Sequence, residues 1–179
     1  MCSSDLLDRF GLTPEALAAR HPGLVVVSLS AWGSRGPWGG RRGFDSIVQG
    51  ACGIAAAESP GGERPGALPC QLLDHGTGYL CAATVLRGLA AQATWGGTLF
   101  RELSLARTGH WLLSQPRAAA AAPAAASDPA AWLTTVAGAD GPVAVIRPPG
   151  QLDGRELAWP SPLTGYGTDQ PGWRPDPAG

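Results

Sequence analysis

Charge is scarce in this sequence. Only 15% of the 179 residues are charged and the formal net charge is −1. That excludes the broad basic surface by which a protein holds nucleic acid or an anionic membrane. No run approaches the roughly 18 uninterrupted apolar residues of a membrane span. The first residues, MCSSDLLDRFG, place acids where a signal peptide would carry a basic and then an apolar region, so none is expected. The four cysteines, Cys2, Cys52, Cys70 and Cys81, form no C-x-x-C pair and sit mostly in apolar runs. Reduced, buried thiols in a cytoplasmic protein are the expectation.

The common catalytic signatures are also missing. There is no G-x-S-x-G elbow, no phosphate-binding G-x-x-x-x-G-K-[ST] loop, no H-E-x-x-H and no G-x-G-x-x-G after a strand. The three histidines, His21, His75 and His110, lack metal-ligand spacing, so no metal is expected. His21 reads as part of a turn and His110 as a helix-end residue, while His75 stands beside an aspartate.

What the chain does contain is LPCQLLDHGTGYLCAATVLRGLAAQ, from Leu68 to Gln92. A short apolar run turns at Asp74 and continues into a helical segment. Tyr79, Ala82, Ala83, Leu86, Leu89 and Ala90 recur at spacings of three and four, which predicts that this stripe is buried. Asp74 falls just before the helix or in its first turn. Unpaired N–H groups and the positive end of the helix dipole favour a carboxylate there. Gly76 and Gly78 leave room for close approach. Two readings stand side by side: Asp74 as an ordinary N-cap, or as a general base or nucleophile toward an acyl group. In the second, helix-end and glycine N–H groups would stabilise the oxyanion.

Upstream, LTPEAL predicts a helix start with Thr13 as cap and Pro14 at the first position. His21-Pro22-Gly23 ends it. Leu24–Ser30, LVVVSLS, reads as a strand buried on both faces of a parallel sheet. The glycine-rich Ala31–Gly43 follows as a loop beyond the strand's carboxyl end, where open α/β sheets bind ligands. It carries Arg35, Arg41 and Arg42, a local cluster able to meet phosphate. Phe44–Glu58 reads as one small-residue helix and Ser59–Pro69 as a loop leading to Asp74. Thr94–Leu113 supplies a turn and either a second helix or a strand–helix pair. The tract Ser114–Ala131, broken by prolines at 116, 123 and 129, reads as a linker. Beyond it, WLTTVAG and PVAVIRP flank Ala139-Asp140-Gly141, a hairpin signal. The tail from Pro148 is expected to wrap over the surface.

The order of these segments resembles the family III CoA-transferases, the group that includes formyl-CoA and carnitine CoA-transferases. The likeness rests on LDRFGLTPEALAARHPGLVVVSLSAWGSRGPW, RRGFDSIVQGACGI and LLDHGTGYLCAATVLRGL, followed by LSLARTGHWL and PPGQLDGRELAWPSPLTGYGTDQPGW. It implies that Asp74 is the covalent nucleophile, that Asp45 positions or tunes it, and that Gly36, Gly39, Gly40 and Arg42 line the CoA site. It also implies acyl-CoA and a carboxylate as substrates, no permanently bound cofactor, and room for a homodimer. The related α-methylacyl-CoA racemases use a histidine at the position occupied here by Phe44, 30 residues before Asp74. Phenylalanine cannot exchange a proton, which disfavours racemisation.

Members of that family normally begin with further Rossmann-like strands and carry a small domain where the alanine–proline tract stands here. The expected fold is therefore a partial α/β, Rossmann-like large domain lacking those strands and the small domain. Residues 1–113 would form the partial domain, 114–131 the linker, and 132–179 a hairpin and return segment. A non-catalytic chain or interaction protein that keeps the fold is the alternative function.

Overall fold

The computed structural model describes residues 9–116, 128–159 and 163–172. The chain divides into two compact units, Met1–Arg117 and Ala118–Gly179.

The first unit begins with α1, Pro14–Arg20. The Thr13 hydroxyl accepts from Ala16 N at 3.2 Å, so the Thr-Pro start folds as its residues require. Strand β1, Val25–Ser30, pairs in parallel with β2, Leu99–Ser104, in the register Val25↔Leu99 to Ser30↔Ser104. The parallel partner agrees with the expectation, but the burial does not. β1 is half-buried and Leu29 is 46% exposed, because β2 is its only strand partner among the described residues.

The helix expected over Phe44–Glu58 is two helices. They are α2, Asp45–Ala51, and α3, Ile54–Ala57, separated at Gly53, whose φ of +87° ends one and starts the other. The long α4, Leu72–Trp95, follows. β2 then leads directly into α5, Leu105–Ser114, whose cap is the strand's last residue: the Ser104 hydroxyl accepts from Arg107 N at 3.2 Å. The core is small. Ala31, Val48, Ile54, Leu73 and Leu105 are buried where α2, α3, α4 and α5 meet, with Trp32, Cys52, Leu68 and Ala106 packed around them. It therefore lies directly under the first turn of α4.

The stripe predicted to be buried on α4 faces outward instead. Tyr79, Leu86 and Leu89 are 64%, 68% and 48% exposed, while Leu73 and Thr77 are fully buried and Gly88 meets β1. The helix is apolar nearly all round, so periodicity could not choose a face, and small size did. A Cβ on Gly88 would lie 2.8 Å from Val25 Cγ1. Thr77 shares a 2.7 Å hydroxyl contact with Thr108 of α5. Two substitutions on this helix should therefore diverge. A Cβ added at Gly78 would meet nothing within 4 Å, so Gly78→Ala should gain about 1 kcal/mol of stability through helix propensity. Gly88→Val should lose about 1–3 kcal/mol by wedging α4 off β1. Urea midpoints of the two variants against the parent check both signs.

The second unit contains the hairpin β3, Leu133–Gly138, and β4, Gly141–Ile146, antiparallel from Leu133↔Ile146 to Gly138↔Gly141. Its loop is Ala139-Asp140, with Gly141 already in the strand at φ +119°. The tail holds a second, smaller hairpin, β5, Gln151–Leu152, and β6, Arg155–Glu156. The turn between them has left-handed Asp153 and Gly154, the Asp-Gly signal that the sequence carries twice. Of the expected linker, residues 117–127 lie outside the described residues, as does Cys2. At its described ends Ser114 closes α5, and Pro129–Trp132 forms a 3₁₀ turn capped by Asp128.

Candidate active site

Asp74 is the third residue of α4 and lies exposed at the helix start. It is not the N-cap. That position belongs to Gln71, whose side chain makes no capping bond. The capping acceptor comes from another helix. Asp45, the first residue of α2 and only 2% exposed, accepts from Leu73 N at 2.8 Å and Asp74 N at 3.0 Å through one carboxylate oxygen. Its other oxygen accepts from Gln49 Nε2. Gln49 in turn accepts from Leu68 N at 2.9 Å. One buried Asp–Gln pair thus fixes both the end of the loop before α4 and the first turn of α4. The outcome for the Asp74 carboxylate is that no hydrogen bond reaches it among the described residues.

This arrangement corrects one expectation. The sequence predicts helix-start N–H groups available to an oxyanion, but Leu73 and Asp74 give theirs to Asp45, and His75 N donates to Gln71 O at 3.0 Å. Buried backbone donors generally find such partners.

The glycine loop follows β1. Gly36 and Gly40 hold left-handed backbone, and Gly39 N donates to Gly36 O at 3.1 Å. Trp32 Nε1 donates to Arg42 O at 3.2 Å, tying the two ends of the loop together. Trp38 stacks edge-on against Trp32 with ring centroids 4.7 Å apart, and the Arg41 guanidinium lies 5.8 Å from the Trp38 ring centre. The Arg42 side chain is exposed. This loop runs through Gly43 and Phe44 straight into Asp45, so the chain itself joins the loop to the carboxylate that holds Asp74.

A cleft of about 400 Å³ opens along β1 and β2, lined by Leu12, Thr13, Val26, Ser34, Phe100 and Glu102 among others. There Ser34 Oγ donates to Glu102 at 2.7 Å. A second, of about 250 Å³, lies between Leu80, Arg107 and Trp111. Asp74 lines neither. Among the described residues, no group of three His, Cys, Asp or Glu could hold a metal ion, and no helix is long and apolar enough to cross a membrane.

The described cysteines are less buried than expected. Cys70 is exposed, in a left-handed turn just before α4, whereas Cys52 and Cys81 are half-buried and burial pushes both thiols above their ordinary range. At pH about 8, iodoacetamide should therefore modify Cys70 about tenfold faster than Cys52 or Cys81. Peptide mapping after timed quenching reads that order.

The CoA-transferase family III model matches residues 2–146. The chain belongs to that family. A relative from Mycobacterium tuberculosis, "Probable fatty acyl-CoA transferase Rv3272", is 34% identical over 83 residues, 46% of this chain and 21% of that protein. A crystal structure of Rv3272 superposes with a TM-score of 0.58 at 28% identity, covering 63% of this chain and 32% of the other. A CAIB/BAIF family protein from Brucella suis gives the same TM-score at 24% identity, over 79% of this chain and 39% of its own, and supports the fold alone. This family III chain thus spans about a fifth of the relative's length and a third or so of the matched structures. It corresponds to part of that mixed α/β fold.

Within this family III chain, the sequence-level candidates fall into two groups. Asp45 and Asp74 meet through the backbone of α4, and Gly36, Gly39, Gly40 and Arg42 share one loop. Gln49 is a functional candidate that sequence reasoning missed. Its signal was present: it stands four residues after Asp45 on the same helix face.

Proposed function

We propose that this chain carries the nucleophile-bearing part of an enzyme that moves CoA between carboxylic acids. The Asp74 carboxylate attacks the thioester carbonyl of the donor acyl-CoA. The C–S bond breaks, CoA leaves as thiolate, and an acyl–aspartyl anhydride forms. The thiolate then attacks the aspartyl carbonyl of that anhydride, releasing the donor carboxylate and leaving an aspartyl–CoA thioester. The acceptor carboxylate attacks that thioester, again expelling thiolate and forming a second anhydride. Attack of the thiolate on the acceptor's acyl carbon yields the new acyl-CoA and restores the Asp74 carboxylate.

The observation that carries this reading is the exposed Asp74 carboxylate at the start of α4, released from capping duty by Asp45, in a chain of this family. Since Gly39 gives its N–H to Gly36, the N–H groups of Gly36 and Gly40 are the proposed oxyanion donors. Arg42 is proposed to meet a CoA phosphate. CoA enters and leaves as substrate, with no resident cofactor, and a homodimer is the proposed assembly. In the same reading residues 1–113 bear the chemistry, 114–131 link, and 132–179 form the return segment. The name of the Mycobacterium tuberculosis relative suggests fatty acyl-CoA as the first donor to test. Phe44, at the place of the racemase histidine and 59% exposed, argues against racemisation.

A second reading, a non-catalytic chain that keeps the fold, is favoured by the apolar surface of α4 and, among the described residues, by a parallel sheet of two strands. Isothermal calorimetry with CoA and a fatty acyl-CoA separates the two. Saturable binding with hydroxylamine-trappable acyl transfer supports the enzyme. Absence of both supports the non-catalytic chain.

A further inference from the structure

We propose that Gln49 is a positioning residue for Asp74: with Asp45 it forms an external cap for α4, which keeps the Asp74 carboxylate from capping its own helix. The inference rests on the reading of Asp74 as nucleophile, and it concerns what keeps that nucleophile available. A helix start exposes N–H groups that need an acceptor. An aspartate in the first turn is a natural candidate, because a short carboxylate there can fold back onto them and gains from the dipole. A carboxylate so engaged has its lone pairs committed and is a weaker nucleophile. In this chain the need is met from outside, since one Asp45 oxygen accepts from both Leu73 N and Asp74 N.

Asp45 can do this only in one orientation, and Gln49 sets it. The Gln49 amide donates to the second Asp45 oxygen, while its own oxygen accepts from Leu68 N at 2.9 Å. Both residues are buried, at 2% and 5% exposure, so water does not substitute. The amide's orientation is set in turn, because only its oxygen can accept from Leu68 N and only its nitrogen can donate to Asp45. Glutamine is therefore specific here. Leucine fills the space and offers neither bond. Glutamate keeps the acceptor for Leu68 but turns a carboxylate toward Asp45.

The test uses the full chain and needs no acyl-CoA, so its result stands apart from whether the chain transfers CoA. A water-soluble carbodiimide with glycine ethyl ester labels accessible carboxyl groups, and peptide mass spectrometry reads each site. Labelling of Asp74 is expressed relative to the exposed Glu63 and Asp140. In the parent, Asp74 should label about as fast as those two and Asp45 should resist. In Asp45→Ala, Asp74 turns in toward the freed N–H groups of α4 and its relative labelling should fall about fivefold, the population shift that a carboxylate's pairing with those groups and with the helix dipole corresponds to. In Gln49→Leu and Gln49→Glu it should fall by about a factor of three, the effect of one hydrogen bond lost from the cap. A purely structural role predicts the opposite sign, because loosening the fold raises labelling and exposes buried carboxyls. Should Gln49→Leu fail to fold, Asp45 will label as fast as Glu63, and Gln49→Glu then decides. Unchanged or increased Asp74 labelling in the folded variants overturns the proposal. Reduced Asp74 labelling with no acyl transfer by the parent would uphold the cap and overturn only the transferase reading.

Discussion

Asp74→Asn should reduce the hydroxylamine-trapped adduct to the background seen without acyl-CoA. An acyl–aspartyl anhydride and an aspartyl–CoA thioester are both electrophilic at carbon. Hydroxylamine added with a fatty acyl-CoA should therefore convert Asp74 to a hydroxamate, located by the mass of its peptide. Asparagine keeps the shape of aspartate, but its amide is a far poorer nucleophile. The substitution should barely disturb the fold, because Asp74 is exposed and the helix start is held by Asp45. A cost of about 0.5 kcal/mol, from the lost interaction of a negative charge with the helix dipole, is expected. An adduct of undiminished yield in Asp74→Asn, or one mapped to a different residue, contradicts the mechanism.

The largest effect on stability is expected at Asp45, from a change of one atom. Asp45→Asn retains a single carbonyl oxygen, which can serve Leu73 N and Asp74 N as the carboxylate does. Its NH₂ then faces the NH₂ of Gln49, donor against donor. Turning the Gln49 amide over relieves that clash but points its NH₂ at the Leu68 N–H that its oxygen now accepts. Two buried donors, one from each facing group, are left unpaired in either case, at a cost of about 1–3 kcal/mol each. Urea unfolding should show a lower midpoint with unchanged slope. Hydroxamate formation at Asp74 should slow without vanishing, because the nucleophile itself remains. A midpoint equal to the parent's would mean that the Asp45–Gln49 network does not hold the start of α4.

Much of the local structure was legible in the residues. Thr13 and Pro14 announce a helix start whose geometry needs only neighbouring atoms. The β-branched run over Val25–Val27 marks a strand, and Asp140-Gly141 marks a hairpin. The family could be read from the order of soft motifs around Asp74. The face of α4 could not. Tyr79, Leu86 and Leu89 make as good an apolar stripe as Leu73, Thr77 and Gly88, and hydrophobicity alone ranks the first set higher. The second set wins because a glycine lets Val25 approach and two threonine hydroxyls pair between α4 and α5. Close packing rewards fit, which a count of apolar residues does not measure. The break at Gly53 and the exposure of Cys70 were hidden for a related reason: both depend on where the chain goes next.

By itself, the amino-acid sequence determined the family, the approximate elements, and the placing of an aspartate at the start of a helix. Those are matters of composition, spacing and near neighbours along the chain. Which carboxylate caps that helix was decided only by the tertiary structure. Asp45 lies 29 residues before Asp74, and no local rule assigns the N–H groups of one helix to the first residue of another. Folding brings α2 against α4 over the core of Val48, Ile54, Leu73 and Leu105. Once water is excluded there, the buried Asp45 carboxylate must take the nearest donors, and the Asp74 carboxylate is left facing solvent.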